Sequence, residues 1–403
     1  MKLLNYTLAL LLTLALCTNC IAQDNNFVIG KTEKLTSKIL GEERTIYVHV
    51  PRGEAGQRFP VLYLLDGGGF FPLAVSILKM DDGLLPRMII VGISNRRNRS
   101  RDLTPAKSKD MPTSGGGEKF TQFIKQELMP YIEGKYPTQP YRTLVGYSLG
   151  GLLTVNTLVN HPEMFNNYIA IDPSLRRGKK LQRKATKYLK TKGKFAKKSM
   201  YMAVANTMEG ITKGLDTSNV MKDKSPFTRH IRAGLTFAKT ATQQNNSGLS
   251  FAWKYYPNDS HSSVPYPAIY DGLRSVFAWY KMNPDDLATM QNRKTELKTV
   301  LRIFDNYYTT LSGKFGYKVL PDEGYLNSLG YMYLQTGQPK RSKAFFEKAI
   351  RYYPKSANVY DSMTDYYIDR KDRENALKYA IKAYEISKSV YHQKKLEKIK
   401  AKK

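Results

Sequence analysis

The chain has almost no cysteine, few histidines and a shortage of acidic residues. Two of its 403 residues are cysteines, Cys17 and Cys20, five are histidines, and 34 are Asp or Glu against 64 Lys or Arg. Both cysteines fall in the first 22 residues, which read as an export leader. The mature chain is then expected to have no disulfide, no thiolate metal site and no cysteine nucleophile. Its chemistry must rest on oxygen and nitrogen side chains.

Long apolar runs are scarce as well. The run Leu8 to Leu16 falls short of the ~20 residues a membrane span needs. Lys2 precedes it and Cys20-Ile21-Ala22 offers a small-x-small exit, the pattern of a secretory signal peptide cleaved after Ala22. The alternatives are an uncleaved anchor or lipid attachment at Cys17 or Cys20. Leu16 and Asn19, just before those cysteines, are not the small residues that lipid attachment prefers. No later segment is apolar for long enough to cross a bilayer. The mature protein is expected to be periplasmic or secreted, with no transmembrane span.

What is present suits a packed, two-domain protein, with 41% hydrophobic and 12% aromatic residues. The formal charge of +30 favours anionic partners. It is densest from Arg176 to Lys198, where 12 of 23 residues are Lys or Arg and none is acidic. A second knot, Arg96 to Arg101, adds four arginines. A solvated surface helix is the plain reading of the first stretch. Export argues against nucleic acid, which leaves anionic substrates, acidic glycans or lipid headgroups.

From about residue 27 to 280, strands alternate with helices. Arg44 to Val50 alternates like a strand, and Pro60 to Leu65 and Met88 to Ile93 are continuous apolar runs of the kind buried on both faces of a sheet. Thr143 to Val145, Tyr168 to Ile171, Met200 to Val204 and Leu249 to Tyr256 continue the set, and Glu118 to Tyr136 has helical spacing. The fold class is α/β, a doubly wound and mostly parallel sheet. After Pro284 the pattern is all helix. Leu326, Leu329, Gly330, Tyr333, Ser342 and Ala349 are answered 34 residues later by Tyr360, Met363, Thr364, Tyr367, Ala376 and Ala383. That period and pattern resemble the tetratricopeptide repeat, in which each helix pair buries its apolar face on its neighbour. The expected division is a leader over 1–22, an α/β domain over 23–285 and an all-α helical-repeat domain over 286–403.

Gly146-Tyr147-Ser148-Leu149-Gly150-Gly151 follows the strand Thr143 to Val145 and opens an apolar helix. It is a G-x-S-x-G nucleophile elbow in strand–turn–helix context, with Ser148 as nucleophile. The helix N-terminus aims the Leu149 N–H at a developing oxyanion. A second donor is expected from Asp66-Gly67-Gly68-Gly69, at Gly67 or Gly68. In the chain order of this fold the base follows the last strand, which selects His261 over His49, His161, His230 and His392. Its acid partner is expected on the loop after Met200 to Val204, where Glu209, Asp216 and Asp223 lie. Asp259 is a further candidate.

These residues resemble an esterase family of α/β-hydrolases that includes siderophore esterases, S-formylglutathione hydrolase, feruloyl esterases and mycolyltransferases. The likeness rests on Val61 to Gly67, Arg101-Asp102-Leu103-Thr104-Pro105, Gly146 to Gly151, Asp172-Pro173-Ser174-Leu175 and His261-Ser262-Ser263-Val264-Pro265. It implies Ser148 as nucleophile and His261 as base, and its recurring Gly-Leu-Asp-Thr stretch favours Asp216 over Glu209. Family members often carry an acidic residue where Gly68 stands, and aromatics where Arg176 and Arg177 stand. The second departure puts charge near the rim of the site. The implied activity is carboxylic-ester hydrolysis through an acyl-enzyme, without metal or organic cofactor, on a small-molecule or glycan ester that suits the positive charge. An acyltransferase of the same fold is one alternative. Another is a non-catalytic protein that binds a protein partner through the repeats.

Overall fold

The structure is a computed structural model that describes residues 27–401 apart from 55, 81–82 and 209–213. The expected leader lies outside the described residues. Among the described residues, no helix is long and apolar enough to cross a membrane.

Eight strands form one sheet in the order β1-β2-β4-β3-β5-β6-β7-β8. They are β1 Lys31–Ser37, β2 Glu42–His49, β3 Phe59–Leu64, β4 Ile89–Ile93, β5 Thr138–Tyr147, β6 Asn167–Ile171, β7 Ser199–Ala205 and β8 Ser250–Tyr256. From β4 across to β8 the pairings are parallel, whereas β2 runs antiparallel to both of its neighbours. The apolar runs expected to be buried on both faces are so: every residue of β3, β4 and β6 is buried. At the two edges, β1 (KTEKLTS) and β8 (SFAWKYY) alternate in exposure, as strands with one wet face do. The polar β1 carries no apolar signal, and sequence reasoning had not singled it out.

Helices cover both faces. On one side, α1 (Gly67–Met80) and α6 (Pro265–Val276) set Phe71, Ala74, Val75, Ile269 and Leu273 against Leu62, Leu64 and Ile169. On the other lie α2 (Gly117–Phe123), α3 (Leu149–Asn160), α4 (Lys179–Leu189) and α5 (Arg229–Gln243), packed on Val61, Tyr63, Tyr168 and Met202. The helix expected from Glu118 to Tyr136 is interrupted. Between α2 and the segment Met129–Lys135 the chain widens into a π-turn over Ile124–Leu128. Such a turn has no signature in hydrophobic spacing.

Helices alone follow from Pro284: α7 (Pro284–Gln291), α8 (Leu297–Phe315), α9 (Glu323–Gln335), α10 (Pro339–Tyr352), α11 (Ala357–Asp369), α12 (Arg373–Ser387) and α13 (Val390–Ala401). The repeat equivalences fall on matching helices, α9 with α11 and α10 with α12. Gly330 shows why a small residue is needed there: a Cβ would sit 2.3 Å from the ring of Phe346 on α10. Leu396 and Ile399 of α13 pack with Met363, Tyr367 and Ala376, covering the last pair. Helix α8 joins the two regions. Its Phe315 ring lies 5.0 Å from Tyr141 and 4.9 Å from Trp279, within the core of the sheet domain. Asp322 accepts a hydrogen bond from Gln57 at 3.0 Å and pairs with Arg87.

Candidate active site

In a parallel sheet the loops leaving the carboxyl ends of the strands cluster at one edge, and ligands bind there. Four of these loops bring the polar residues together. Asp66 follows β3, Ser148 follows β5, Asp172 follows β6, and His261 lies five residues beyond β8.

Ser148 stands between β5 and α3 at φ +56°, a left-handed conformation rare outside glycine. The turn closes because its glycines leave room: a Cβ on Gly146 would meet the Gly150 carbonyl oxygen at 2.3 Å. The Ser148 N–H donates to Ile171 O at 2.9 Å, which ties the elbow to β6. Its Oγ lies 3.0 Å from His261 Nε2 and 3.3 Å from Ser174 Oγ. The imidazole is held from two further sides. Tyr147, on the elbow itself, donates its hydroxyl to the His261 carbonyl at 2.9 Å and lays its ring 4.9 Å from the imidazole. Burial pushes the Tyr147 phenol up to about 12, so it stays a donor.

The carboxylate on the imidazole is Asp172. His261 Nδ1 lies 2.5 Å from Asp172 Oδ2. This corrects the expectation of an acid after β7. Asp216 is exposed and caps its own turn, accepting from the Ser218 N–H at 2.8 Å and the Asn219 N–H at 3.2 Å. Asp223 is likewise occupied by Ser225 and Thr228, and Asp259 by Ser263. Glu209 lies outside the described residues. The signal available was position: Asp172 directly ends the apolar run of β6, as Asp66 ends that of β3.

Asp172 is 3% exposed and sits at φ +38°. Its N–H donates to Ala203 O at 2.9 Å, and its Oδ1 accepts from the Ala205 N–H at 3.1 Å. Burial, the largest influence on the carboxyl, works to raise its pKa. Hydrogen bonds from His230 and His261 outweigh it and hold the pKa at about 2. His230, read from sequence as an ordinary helix residue, places Nε2 2.9 Å from the same Oδ2. Nothing local in the sequence distinguishes it. Asp172, His230 and His261 offer ligand-type atoms within 4.8 Å of one another. Their mutual hydrogen bonds account for that arrangement without an ion.

The second glycine loop reaches the same place. Gly67 opens α1 so close to β4 that a Cβ would lie 2.5 Å from the Gly92 carbonyl carbon. Asp66, at φ +54°, approaches Gly150 of the elbow. Arg99 grips the Asp66 carboxylate with two bonds of 2.9 Å and donates to the Tyr147 carbonyl at 3.3 Å. The first N–H groups of α1 and α3 have no partners within their helices. Gly67, Gly68 and Leu149 therefore present donor groups at helix N-termini. Two of the four arginines in the Arg96 to Arg101 knot are structural: Arg99 holds Asp66, and Arg101 pairs with Glu42 and with the fully buried Asp102.

Along α3, against Leu152, Asn156 and Asn160, opens a cavity of about 710 Å³ whose lining does not include Ser148, Asp172 or His261. Its cationic lining includes Lys107, Arg176, Arg177, Lys184 and Arg229, and its single carboxylate, Asp110, is paired with Arg177 at 2.7 Å. Burial depresses the Arg176 pKa, and the neighbouring Arg177 and Arg229 add to that. Part of the basic stretch thus lines a concave surface, with its guanidinium groups crowded together.

Residues 37–209 match the Putative esterase family, and residues 324–356 match the Tetratricopeptide repeat. The ferri-bacillibactin esterase BesA of Bacillus subtilis is 32% identical over 179 residues, 38% of this chain and 61% of that protein. The siderophore triacetylfusarinine C esterase of Aspergillus fumigatus is 30% identical over 129 residues, 29% of this chain and 44% of that one. The chain thus spans less than two thirds of the length of these relatives. Among solved structures, an IroE-like serine hydrolase from Shewanella oneidensis superposes with a TM-score of 0.64 at 29% identity, covering 80% of this chain and 99% of that one. Similarity to the Putative esterase family thus covers residues 37–209 of the chain, and similarity to the Tetratricopeptide repeat follows it at residues 324–356.

Proposed function

We propose that the protein is an exported serine hydrolase that cleaves a small-molecule carboxylic ester through an acyl-enzyme on Ser148. The observation that carries this reading is the unbroken relay from Ser148 Oγ to His261 Nε2 at 3.0 Å and from His261 Nδ1 to Asp172 Oδ2 at 2.5 Å. The Ser148 hydroxyl attacks the ester carbonyl while His261 takes its proton, and Asp172 stabilises the imidazolium that forms. The Leu149 N–H and a glycine N–H from Gly67 or Gly68 hold the oxyanion. The tetrahedral intermediate collapses as His261 returns the proton to the departing alcohol. Water then attacks the acyl-serine by the same route and releases the acid.

Two relatives named as a ferri-bacillibactin esterase and a siderophore esterase support a small-molecule ester of the siderophore kind. The guanidinium groups of the cavity along α3 add positive charge on this side of the domain, which favours an anionic ester, a siderophore or an acidic acylated glycan. The repeats offer a surface for a protein partner.

The test is hydrolysis of short-chain p-nitrophenyl esters by the protein and by Ser148→Ala. The variant is expected to lose at least about a thousandfold in kcat. Equal rates would end the enzyme reading. For the charge, an ester bearing a free carboxylate and its neutral counterpart are compared as salt rises. The anionic ester should be favoured at low ionic strength, and the advantage should shrink toward 1 M salt, where the screening length falls to about 3 Å. A preference absent at every salt concentration would remove the anionic substrate.

A further inference from the structure

The acid–base relay leaves one half-buried titratable group beside it unexplained. His230, on α5, has a side chain only 14% exposed, and its Nε2 lies 2.9 Å from Asp172 Oδ2. That oxygen is the one His261 Nδ1 approaches at 2.5 Å. The two rings meet edge to face with centroids 5.1 Å apart. One carboxylate oxygen therefore serves two imidazoles, while its partner Oδ1 is taken by the Ala205 N–H.

Tautomers follow from this geometry. With the carboxylate ionised, both nitrogens facing Oδ2 must carry hydrogen, because Oδ2 can only accept. His261 is then the Nδ1–H form, and its bare Nε2 can take the Ser148 proton. His230 is the Nε2–H form, and its Nδ1 has no hydrogen-bond partner among the described residues. A proton arriving on His230 therefore lands on Nδ1. It turns the Nε2–H···Oδ2 contact into an ion pair.

We propose, resting on the serine-hydrolase reading, that His230 is a positioning residue that shares the triad carboxylate and thereby sets the proton affinity of His261. In its neutral form it donates to Oδ2, withdraws part of the negative charge that would stabilise a His261 imidazolium, and fixes the carboxylate toward the base. In its protonated form it claims that charge more fully and opposes a second proton on His261. Charged groups also lie on the elements around α5. The turn Leu175–Arg177 and α4, both packed on α5, bring Arg176, Arg177, Lys180, Arg183 and Lys184. Arg229, Arg232 and Lys239 are on α5 itself, while Lys254 of β8 is paired with Asp271 of α6 on the other face of the sheet at 2.7 Å. Against them stand Asp223, bonded to Thr228 at the start of α5, and Asp259 in the His261 loop.

The experiment is the pH profile of kcat/KM for a neutral p-nitrophenyl ester, in the parent protein, His230→Gln and His230→Leu. Thermal unfolding confirms that each variant is folded. Glutamine keeps a neutral donor, whereas leucine removes it and returns the full charge to His261. The acid limb of His230→Leu should move up by about half a pH unit, the direction in which an undivided carboxylate favours the imidazolium. His230→Gln should keep the midpoint and lose the second proton from the limb. The loss of rate should fall on kcat with little change in KM. Imidazole ¹⁵N shifts of His261, read in the same variants without substrate, should show the same displacement independently of turnover. Superimposable profiles and shifts in all three proteins would overturn the proposal, and if Ser148→Ala is inactive they leave the hydrolase reading standing. An active Ser148→Ala would instead overturn that reading.

Discussion

The two regions of this molecule place left-handed backbone in different company. In the sheet domain, Lys197 takes positive φ in the turn before β7, and Asp66, Ser148 and Asp172 take it at the carboxyl ends of strands, all three within the cluster around Ser148. In the repeats, the non-glycine residues with positive φ are Lys371 and Lys388, both just past the end of a helix. Left-handed residues there are the ordinary way to end an α-helix. A left-handed non-glycine residue costs on the order of 1–3 kcal/mol. In the first region that cost goes into aiming three polar side chains at one point, and in the second it only stops helices. Strain is informative where several strained residues converge.

The sharpest way to break this comparison is Asp172→Asn. Asparagine tolerates the left-handed conformation and keeps the shape, so the fold should persist. Its amide can donate to His261 and favour the wrong tautomer, and kcat is expected to fall by roughly 10³–10⁴-fold. Asp216→Asn, on the exposed turn after β7, should leave the rate within about twofold. Steady-state kinetics on the same ester decides between them. A large loss in Asp216→Asn with little in Asp172→Asn would return the acid to the position first expected.

That first expectation shows how much of the site could be read in advance. The turn that sets Ser148 at the head of an apolar helix was legible because a strand, a glycine-flanked turn and an apolar helix are all local patterns. His261 was legible from chain order. The carboxylate was not, because β6 and β7 are parallel neighbours with Ile171 opposite Ala203. An acid leaving either strand reaches the same imidazole, and chain order alone points to the wrong one. His230 was hidden for a deeper reason: its partner is 58 residues away and the contact is made by tertiary packing. The sheet core was read nearly whole because Val61 to Leu65 and Met88 to Ile93 are apolar throughout. The edge strand Lys31–Ser37 is polar, and its pairing with β2 comes from backbone hydrogen bonds that side-chain patterns do not report.

Packing in the repeats can be tested where small size matters most. Gly330→Val pushes a branched side chain into the ring of Phe346 and should lower stability by about 1–3 kcal/mol. Urea unfolding should show the loss, most of it in the helices after Pro284. Hydrolysis of a small ester should be unaffected, since Gly330 lies in the repeats. An unchanged midpoint would mean that Gly330 is not the close contact between α9 and α10.

Acid stability offers a smaller effect with a defined sign. The Asp172 carboxyl, ordinarily near 3.8, is held at about 2 in the folded protein. Its contribution is fully present above pH ~4 and is lost as pH falls through ~2, because the unfolded chain takes up the proton first. The shift is worth about 2 kcal/mol. The stability gap between the parent protein and Asp172→Asn, from urea unfolding at pH 7 and at pH 3, should narrow at the lower pH. A gap that widens would mean that the histidines do not stabilise the ionised carboxylate.

The smallest effect tests the other half of the comparison. Lys388 ends α12 at φ +52°, and its N–H donates to Tyr384 O at 2.8 Å, a bond any residue can make. Glycine relieves the left-handed strain there but adds freedom to the unfolded chain, so the two terms largely offset. Lys388→Gly should raise stability by a few tenths of a kcal/mol and at most about 1 kcal/mol, read as a small rise in the melting temperature. Ester hydrolysis should stay the same. The corresponding change at Asp172 relieves the same kind of strain and removes the charge that the imidazole needs, so there the gain in backbone comfort is bought with the reaction. A destabilised Lys388→Gly would show that this lysine, too, is held in place by something more than the end of its helix.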